Sequence, residues 1–287
     1  MTATESAEPL NPRSSKVGPR DAERWPTPCC LSAAVTTLLA LLLSTAPWPS
    51  PDTQLYVLRL PPLASRIRIA VDAGHGAPGN TGNQGCHCQR EADETLVEAM
   101  ELSRRLRRLG FTVLETRTTE EGTKYPARIA AIERFKPHLV VSLHTDARAD
   151  AWPLETHPDG GVCFANRSDP GFSVLWSEEG PRSIVRARET WGRAVSEALR
   201  AAGFFPYSGE DYGSLYKTDE APACFIDARP TKQRVYFLRA TSVAPVVIIE
   251  THHALDPLEV ARWHDADTHD AFAAAIASAA LKVVEQR

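Results

Sequence analysis

The chain has 287 residues, 43% of them hydrophobic and 24% charged, with 32 basic against 36 acidic side chains and a net charge of −4. That length holds one large domain or two small ones, and the composition is that of a soluble globular protein, which excludes a disordered chain, a collagen-like repeat and a polytopic membrane protein. The slight acidic excess gives no bulk electrostatic basis for nucleic-acid binding, and six cysteines are too few for a disulfide scaffold.

Leu31 to Ala46 (LSAAVTTLLALLLSTA) carries no charge. It is shorter than the roughly 20 residues of a membrane span and fits the apolar part of a secretory signal. Ahead of it Arg13, Lys16, Arg20 and Arg24 are cancelled by Glu5, Glu8, Asp21 and Glu23, and Pro47 follows the small residues Ser44, Thr45 and Ala46. Residues 1–46 are read as a signal peptide or signal anchor, 47–65 as a Pro-rich linker, and 66–287 as one catalytic domain.

Within that domain Ile67 to Asp72 (IRIAVD) reads as a buried strand, followed by a Gly-rich loop from Ala73 to Gly85. Leu96, Ala99, Leu102, Leu106 and Leu109 recur at helical spacing, which predicts a helix over 92–109 stopped by Gly110. Phe111 to Thr116 is the next strand. Pro126 opens a helix whose inner face carries Ile129, Ile132 and Phe135, and Leu139 to Leu143 is a strand. Residues 151–181 are expected to be irregular, Ser183 to Ala202 helical, and 204–233 loop with a short helix. Val246 to Ile249 is a fully apolar strand. Asp256-Pro257 reads as a cap followed by a first-turn proline, leading into one or two helices over 258–285. Strands alternating with helices predict an α/β fold, a mostly parallel twisted sheet with helices on both faces, interrupted by a variable, insertion-like segment near 151–233.

His75 follows the first strand, His144 the strand 139–143, and Glu250 the strand 246–249. In a parallel sheet these points share the carboxyl edge, where open α/β sheets place ligands. Two imidazoles with carboxylates nearby point to a metal site, and Glu91, returned towards His75 by the flexible loop, can supply a third ligand for zinc. Gly74-His75-Gly76-Ala77-Pro78-Gly79 also matches the dinucleotide pattern formally. The pattern requires a helix to open within it, and Asn80 to Gly85 is loop, so the metal reading is preferred.

Four blocks of the chain resemble the zinc-dependent N-acetylmuramoyl-L-alanine amidases that cleave peptidoglycan: VDAGHG (Val71 to Gly76) with Glu91 downstream, LRRLGFTVLETR (Leu106 to Arg117), ARIAAIERFKPHLVVSLHTD (Ala127 to Asp146) and YFLRATSVAPVVIIE (Tyr236 to Glu250). The resemblance spans roughly residues 66–285. It implies that His75, Glu91 and His144 bind one Zn2+, that Glu250 is the catalytic carboxylate, and that the bond cleaved joins N-acetylmuramic acid to L-alanine of the stem peptide. It differs from the family pattern at Asp146, where Asn is frequent, and at His252 and His253, which are read either as groups near the substrate or as part of a polar loop.

The expected partner is peptidoglycan in the periplasm or cell envelope, with membrane contact only through the N-terminal segment, no nucleic acid, and any regulatory protein unspecified. Other readings are a different zinc amide hydrolase, such as an N-formylglutamate amidohydrolase-like or carboxypeptidase-like enzyme, and an inactive wall-binding module. Cys86 and Cys88 are read as loop cysteines, and Cys163 with Cys224 as a possible disulfide in an exported protein. Trp152, Phe172, Trp176, Tyr207, Tyr212 and Tyr216 either line a substrate groove or form a local core.

Overall fold

In the computed structural model, residues 66–156 and 160–285 are described; the signal segment and linker read from the sequence lie outside the described residues. From the amino end the chain forms β1 (Arg68–Ala73), α1 (Glu91–Arg108), β2 (Thr112–Glu115), α2 (Tyr125–Phe135) and β3 (Leu139–Asp146). A hairpin of β4 (Trp152–Thr156) and β5 (Val162–Ala165) precedes β6 (Ser173–Trp176), α3 (Arg182–Ala201), β7 (Tyr216–Thr218), β8 (Cys224–Asp227) and the short α4 (Tyr236–Arg239). β9 (Val246–His253), α5 (Pro257–Trp263) and α6 (Ala266–Glu285) complete the domain.

Seven strands form one sheet in the order β2-β1-β3-β9-β6-β8-β7, and β4 pairs with β5 apart from it. Within this sheet β1 pairs parallel with β2 and β3, β3 with β9, and β6 with β8, while β6 against β9 and β7 against β8 run antiparallel. The expected mostly parallel α/β sheet is therefore present. Its central strands are continuous apolar runs, as burial on both faces requires: Ile69, Val71, Val140, Val141, Val246, Val247 and Ile249 are all shut off from solvent. The chain moves from β1 outward to β2 and then back past β1 to β3. With right-handed crossovers, that reversal puts α1 and α2 on opposite faces and opens a crevice between the carboxyl ends of β1 and β3.

On α1 the residues spaced for one face, Leu96, Ala99, Leu102 and Leu106, are all buried, and Leu109 is its C-cap. Alanines such as Ala273, Ala277 and Ala280 let α6 pack closely against α1 and α3. Asp256 caps α5 by accepting the Leu258 N–H at 2.8 Å. Among the described residues no helix is long and apolar enough to cross a membrane.

Three expectations are corrected. The stretches 151–181 and 204–233 contain β4 to β8 rather than irregular chain, because β6 and β8 gain their order by extending the sheet from β9, a pairing that four-residue runs do not announce locally. β3 and β9 continue past Leu143 and Ile249, since each ladder has a partner to continue along; His144 and Glu250 thus sit within strands, opposite one another in register. The disulfide joins Cys88 to Cys163, and Cys224 is a buried free thiol.

Trp191 of α3 is 0% exposed and its indole N–H donates to the Val140 carbonyl of β3 at 2.9 Å. Trp191→Ala should lower the unfolding free energy by about 3–5 kcal/mol, read as a lower urea midpoint at unchanged slope; an unchanged midpoint would remove Trp191 from the support of the sheet.

Candidate metal centre

The site is built at the crevice where β1 and β3 separate. After Ala73 the chain turns at Gly74, and His75 takes φ 56°, a left-handed backbone seldom adopted by residues with a side chain. Three carbonyls hold this turn. Arg128 donates to Ala73 O at 2.7 Å and to His75 O, and Arg117 donates to Gly74 O at 2.9 Å and Ala92 O at 2.7 Å. Arg128 is in turn paired with Asp72 at 3.2 Å, both side chains fully buried, while Ser142 donates to the other Asp72 oxygen at 2.7 Å. Gly74 is required by close approach: a Cβ there would lie 2.6 Å from both Cε1 and Nε2 of His144.

Glu91 opens α1, where the helix dipole favours a negative charge. Its Oε1 lies 3.0 Å from His75 Nε2 and 3.0 Å from His144 Nδ1, and the two imidazole nitrogens are 3.1 Å apart. Thr145 N–H donates to Oε1 at 3.1 Å and Asn83 N–H to Oε2 at 2.9 Å. His75 Nδ1 meets Asn80 Oδ1 at 2.7 Å. An acceptor there fixes the proton on Nδ1 and leaves Nε2 with its lone pair towards the cluster. Burial alone would raise the Glu91 carboxyl, but hydrogen bonds from His144 and then His75 outweigh it and hold the group well below the ordinary carboxylate range. Among the described residues His75, Glu91 and His144 form a group whose ligand atoms all lie within 4.8 Å of one another.

Glu250 lies beside His144 on the neighbouring strand and opposite Ser173 of β6. Its Oε2 is buried and without a hydrogen-bond partner. Burial pushes its carboxyl well above the ordinary range; Asp146 and Glu91 push the same way, and Arg148 opposes them. Glu250 forms one wall of a cavity of about 400 Å³, with Asp146, Arg148, Leu175, Tyr212 and Tyr216 among the others. The segment 151–233 therefore reaches this cavity through its tyrosines, whereas Phe172, Trp176 and Tyr207 are core and Trp152 is exposed. His252 and His253 are buried in β9, not in a polar loop. Cys88–Cys163 and a 3.0 Å contact between His87 Nδ1 and Glu155 Oε1 tie the Gly-rich loop to the β4–β5 hairpin.

The sequence reading singled out His75, Glu91, His144 and Glu250. It gave no role to Asp72, Asn80, Asn83, Arg117 or Arg128, which orient them. Arg117 and Arg128 lie inside the recognised blocks, but a buried arginine has the same sequence signal as an exposed one.

Two imidazoles and a carboxylate converge at the switch point of a parallel α/β sheet, a donor set that could hold a metal ion. The chain belongs to the N-acetylmuramoyl-L-alanine amidase family, whose profile matches residues 69–282. The fold is similar to three amidase structures. The Mycobacterium smegmatis enzyme has 18% identity, TM-score 0.59, and coverage of 77% of this chain and 98% of that one. The Nostoc punctiforme enzyme has 20% identity, TM-score 0.52, and coverage of 77% and 98%. The Clostridium difficile 630 enzyme has 15% identity, TM-score 0.57, and coverage of 77% and 98%. No functionally curated protein matches the chain by sequence.

Gly74→Ala should push the His144 ring from its place and weaken divalent-metal binding about 10–100-fold, as loss of an orienting neighbour does; unchanged metal affinity by calorimetry would show that the close approach is dispensable. A second expectation concerns Glu259, which accepts backbone N–H groups of Gly171 at 2.8 Å and His253 at 2.7 Å and so joins α5 to the end of β9. Burial raises its carboxyl from 4.5 to about 7 in spite of those bonds. The folded chain then keeps a proton that the unfolded chain releases near 4.5, so this contribution is full at low pH and is lost as pH rises towards 7. Glu259→Gln, which cannot ionise, should show a shallower fall in stability over that window; an equal fall in both proteins would contradict the assignment.

Proposed function

We propose that the chain is a zinc-dependent N-acetylmuramoyl-L-alanine amidase acting on peptidoglycan outside the cytoplasm, with His75, Glu91 and His144 as metal ligands and Glu250 as general base. The observation that carries this reading is the convergence of His75 Nε2, Glu91 Oε1 and His144 Nδ1 in a member of this family. Two imidazole nitrogens and one carboxylate oxygen fit the three-ligand donor set of a catalytic zinc, which leaves a further position open. Bound there, zinc would supply Lewis-acid polarisation of the scissile carbonyl and of the attacking water.

The remaining chemistry belongs to the chain. The Glu250 carboxylate takes a proton from the attacking water and returns it to the nitrogen of the departing L-alanine, without which the amine leaves poorly. Arg148, whose guanidinium donates to Asp146 at 3.1 Å, offsets part of the negative charge around Glu250. Tyr212 and Tyr216 line the cavity beside Glu250 and offer surfaces for the sugar or stem peptide. Export is supported by the uncharged run Leu31 to Ala46 and by the Cys88–Cys163 disulfide, a bond that persists in oxidising compartments.

The test is mass spectrometry of muropeptides after digestion of purified sacculi. The zinc-loaded protein should release stem peptides beginning with L-alanine, and a chelator should stop the release. Glu250→Gln should retain zinc while turnover falls about 10²–10⁴-fold, and His75→Ala and His144→Ala should lose the metal. Near-normal turnover in Glu250→Gln, or full zinc occupancy in the histidine variants, would refute the corresponding role.

A further inference from the structure

The peptide that joins Gly74 to His75 is gripped at both ends, each time by a hydroxyl from a different helix. Its carbonyl accepts from the Thr95 hydroxyl at 2.9 Å, beside the bond from Arg117. Its N–H donates to the Tyr125 hydroxyl at 3.3 Å. Thr95 is fully buried on α1, one turn beyond Glu91, and Tyr125 is the first residue of α2. A trans peptide is planar, with its C=O and N–H pointing to opposite sides. Bonds at both ends, from helices on opposite faces of the sheet, therefore set the rotation of that plane.

The plane decides where the His75 side chain goes. His75 follows it with φ 56°, a left-handed conformation that persists in a residue with a side chain only where the surroundings hold it. Tyr125 acts on the ring as well. Its hydroxyl accepts from Asn80 Nδ2 at 3.4 Å, and Asn80 Oδ1 meets His75 Nδ1 at 2.7 Å. The Asn80 backbone is fixed in turn, since its carbonyl accepts from Gly76 N–H and its N–H donates to Ala77 O, both at 2.8 Å. The Tyr125 ring is placed independently of these bonds. It meets Phe237 edge to face with centroids 6.0 Å apart, and the Arg128 guanidinium lies 5.1 Å from its centre. On α1, Thr95 Oγ1 accepts from Arg117 Nη2 at 3.2 Å, which leaves its own proton for the Gly74 carbonyl.

We propose that Tyr125 and Thr95 are positioning residues for His75. Tyr125 fixes both its backbone and, through Asn80, the plane of its imidazole. Thr95 ties the same peptide to the helix that carries Glu91, so that one rigid element sets the separation of the two side chains. The value of this clamp to the metal centre rests on the reading of His75, Glu91 and His144 as ligands. Orienting neighbours of this kind commonly contribute 10–100-fold to metal affinity, because a ligand held in place loses no freedom when the ion arrives.

Two variants of the full-length chain test it. Tyr125→Phe removes one oxygen and keeps the ring packing, and Thr95→Val removes one oxygen and keeps the branched shape. In the metal-free protein the His75 amide should exchange with solvent about tenfold faster in Tyr125→Phe, the worth of one neutral hydrogen bond, while Tm stays within about 2–4 °C of the wild type. In zinc titrations against a chromophoric chelator both variants should bind about 10–100-fold more weakly. Their Co2+ derivatives should show displaced d–d absorption bands, which follow ligand geometry and which a loss of packing elsewhere would leave in place. The exchange measurement needs no metal, so it decides the clamp even if the wild type bound none, a result that would refute the ligand set alone. Unchanged His75 exchange in Tyr125→Phe, or zinc binding in both variants as tight as that of a metal-binding wild type, would overturn the proposal.

Discussion

A carboxylate buried to 4% of its side-chain surface, Glu91, sets the terms for the whole carboxyl edge of this sheet. A charge taken out of water persists only where neighbours compensate it, and each neighbour here comes from a different part of the chain. The Gly-rich loop brings the Asn83 N–H, β3 brings the Thr145 N–H and His144, and the turn after β1 brings His75. The loop must pass so close to the carboxylate that a Cβ on Gly82, at φ +75°, would lie 2.4 Å from Glu91 Oε2. The glycines of the loop, the start of α1 and the divergence of β1 from β3 are thus one construction, which brings His75, Glu91 and His144 together.

That construction is held from below. Asp72, fully buried at the end of β1, accepts from Ser142 of β3, from the Thr116 hydroxyl after β2 and from Arg128 of α2. The three strands and the helix on the far face are therefore fixed to one another directly beneath the ligands. Arg117 and Arg128 then occupy the carbonyls of Ala73, Gly74 and His75, which a sharp turn would otherwise leave unpaired. A metal-binding constellation needs such support to be preorganised. The Cys88–Cys163 bond adds a covalent tie from the same loop to the β4–β5 hairpin.

Much of this was legible in the sequence because it rests on local signals. Ile67 to Asp72, Leu139 to Leu143 and Val246 to Ile249 are β-branched, largely apolar segments that read as buried strands, and their alternation with helices declares a parallel sheet. His75 and Glu250 were placed at the correct edge by their position after such runs, and His144 likewise, although the strands proved to include His144 and Glu250. What was not legible depends on pairing between distant segments. β6 (Ser173–Trp176) and β8 (Cys224–Asp227) have no periodicity of their own and become strands because β6 pairs along β9 and β8 along β6. The same holds for the disulfide, since nothing local distinguishes Cys88 from Cys224 as the partner of Cys163. Tyr212 shows how two readings can merge: it packs against Tyr207 and Phe225 and also forms a wall of the cavity beside Glu250.

The proposed function requires that His75, Glu91 and His144 receive the metal. Anomalous diffraction from zinc-soaked crystals, recorded above and below the zinc absorption edge, tests it most directly. The account predicts one strong anomalous peak per chain bounded by His75 Nε2, Glu91 Oε1 and His144 Nδ1, at about 2.0–2.2 Å from each. A principal peak elsewhere, or one that lacks any of these three atoms as a ligand, would contradict it.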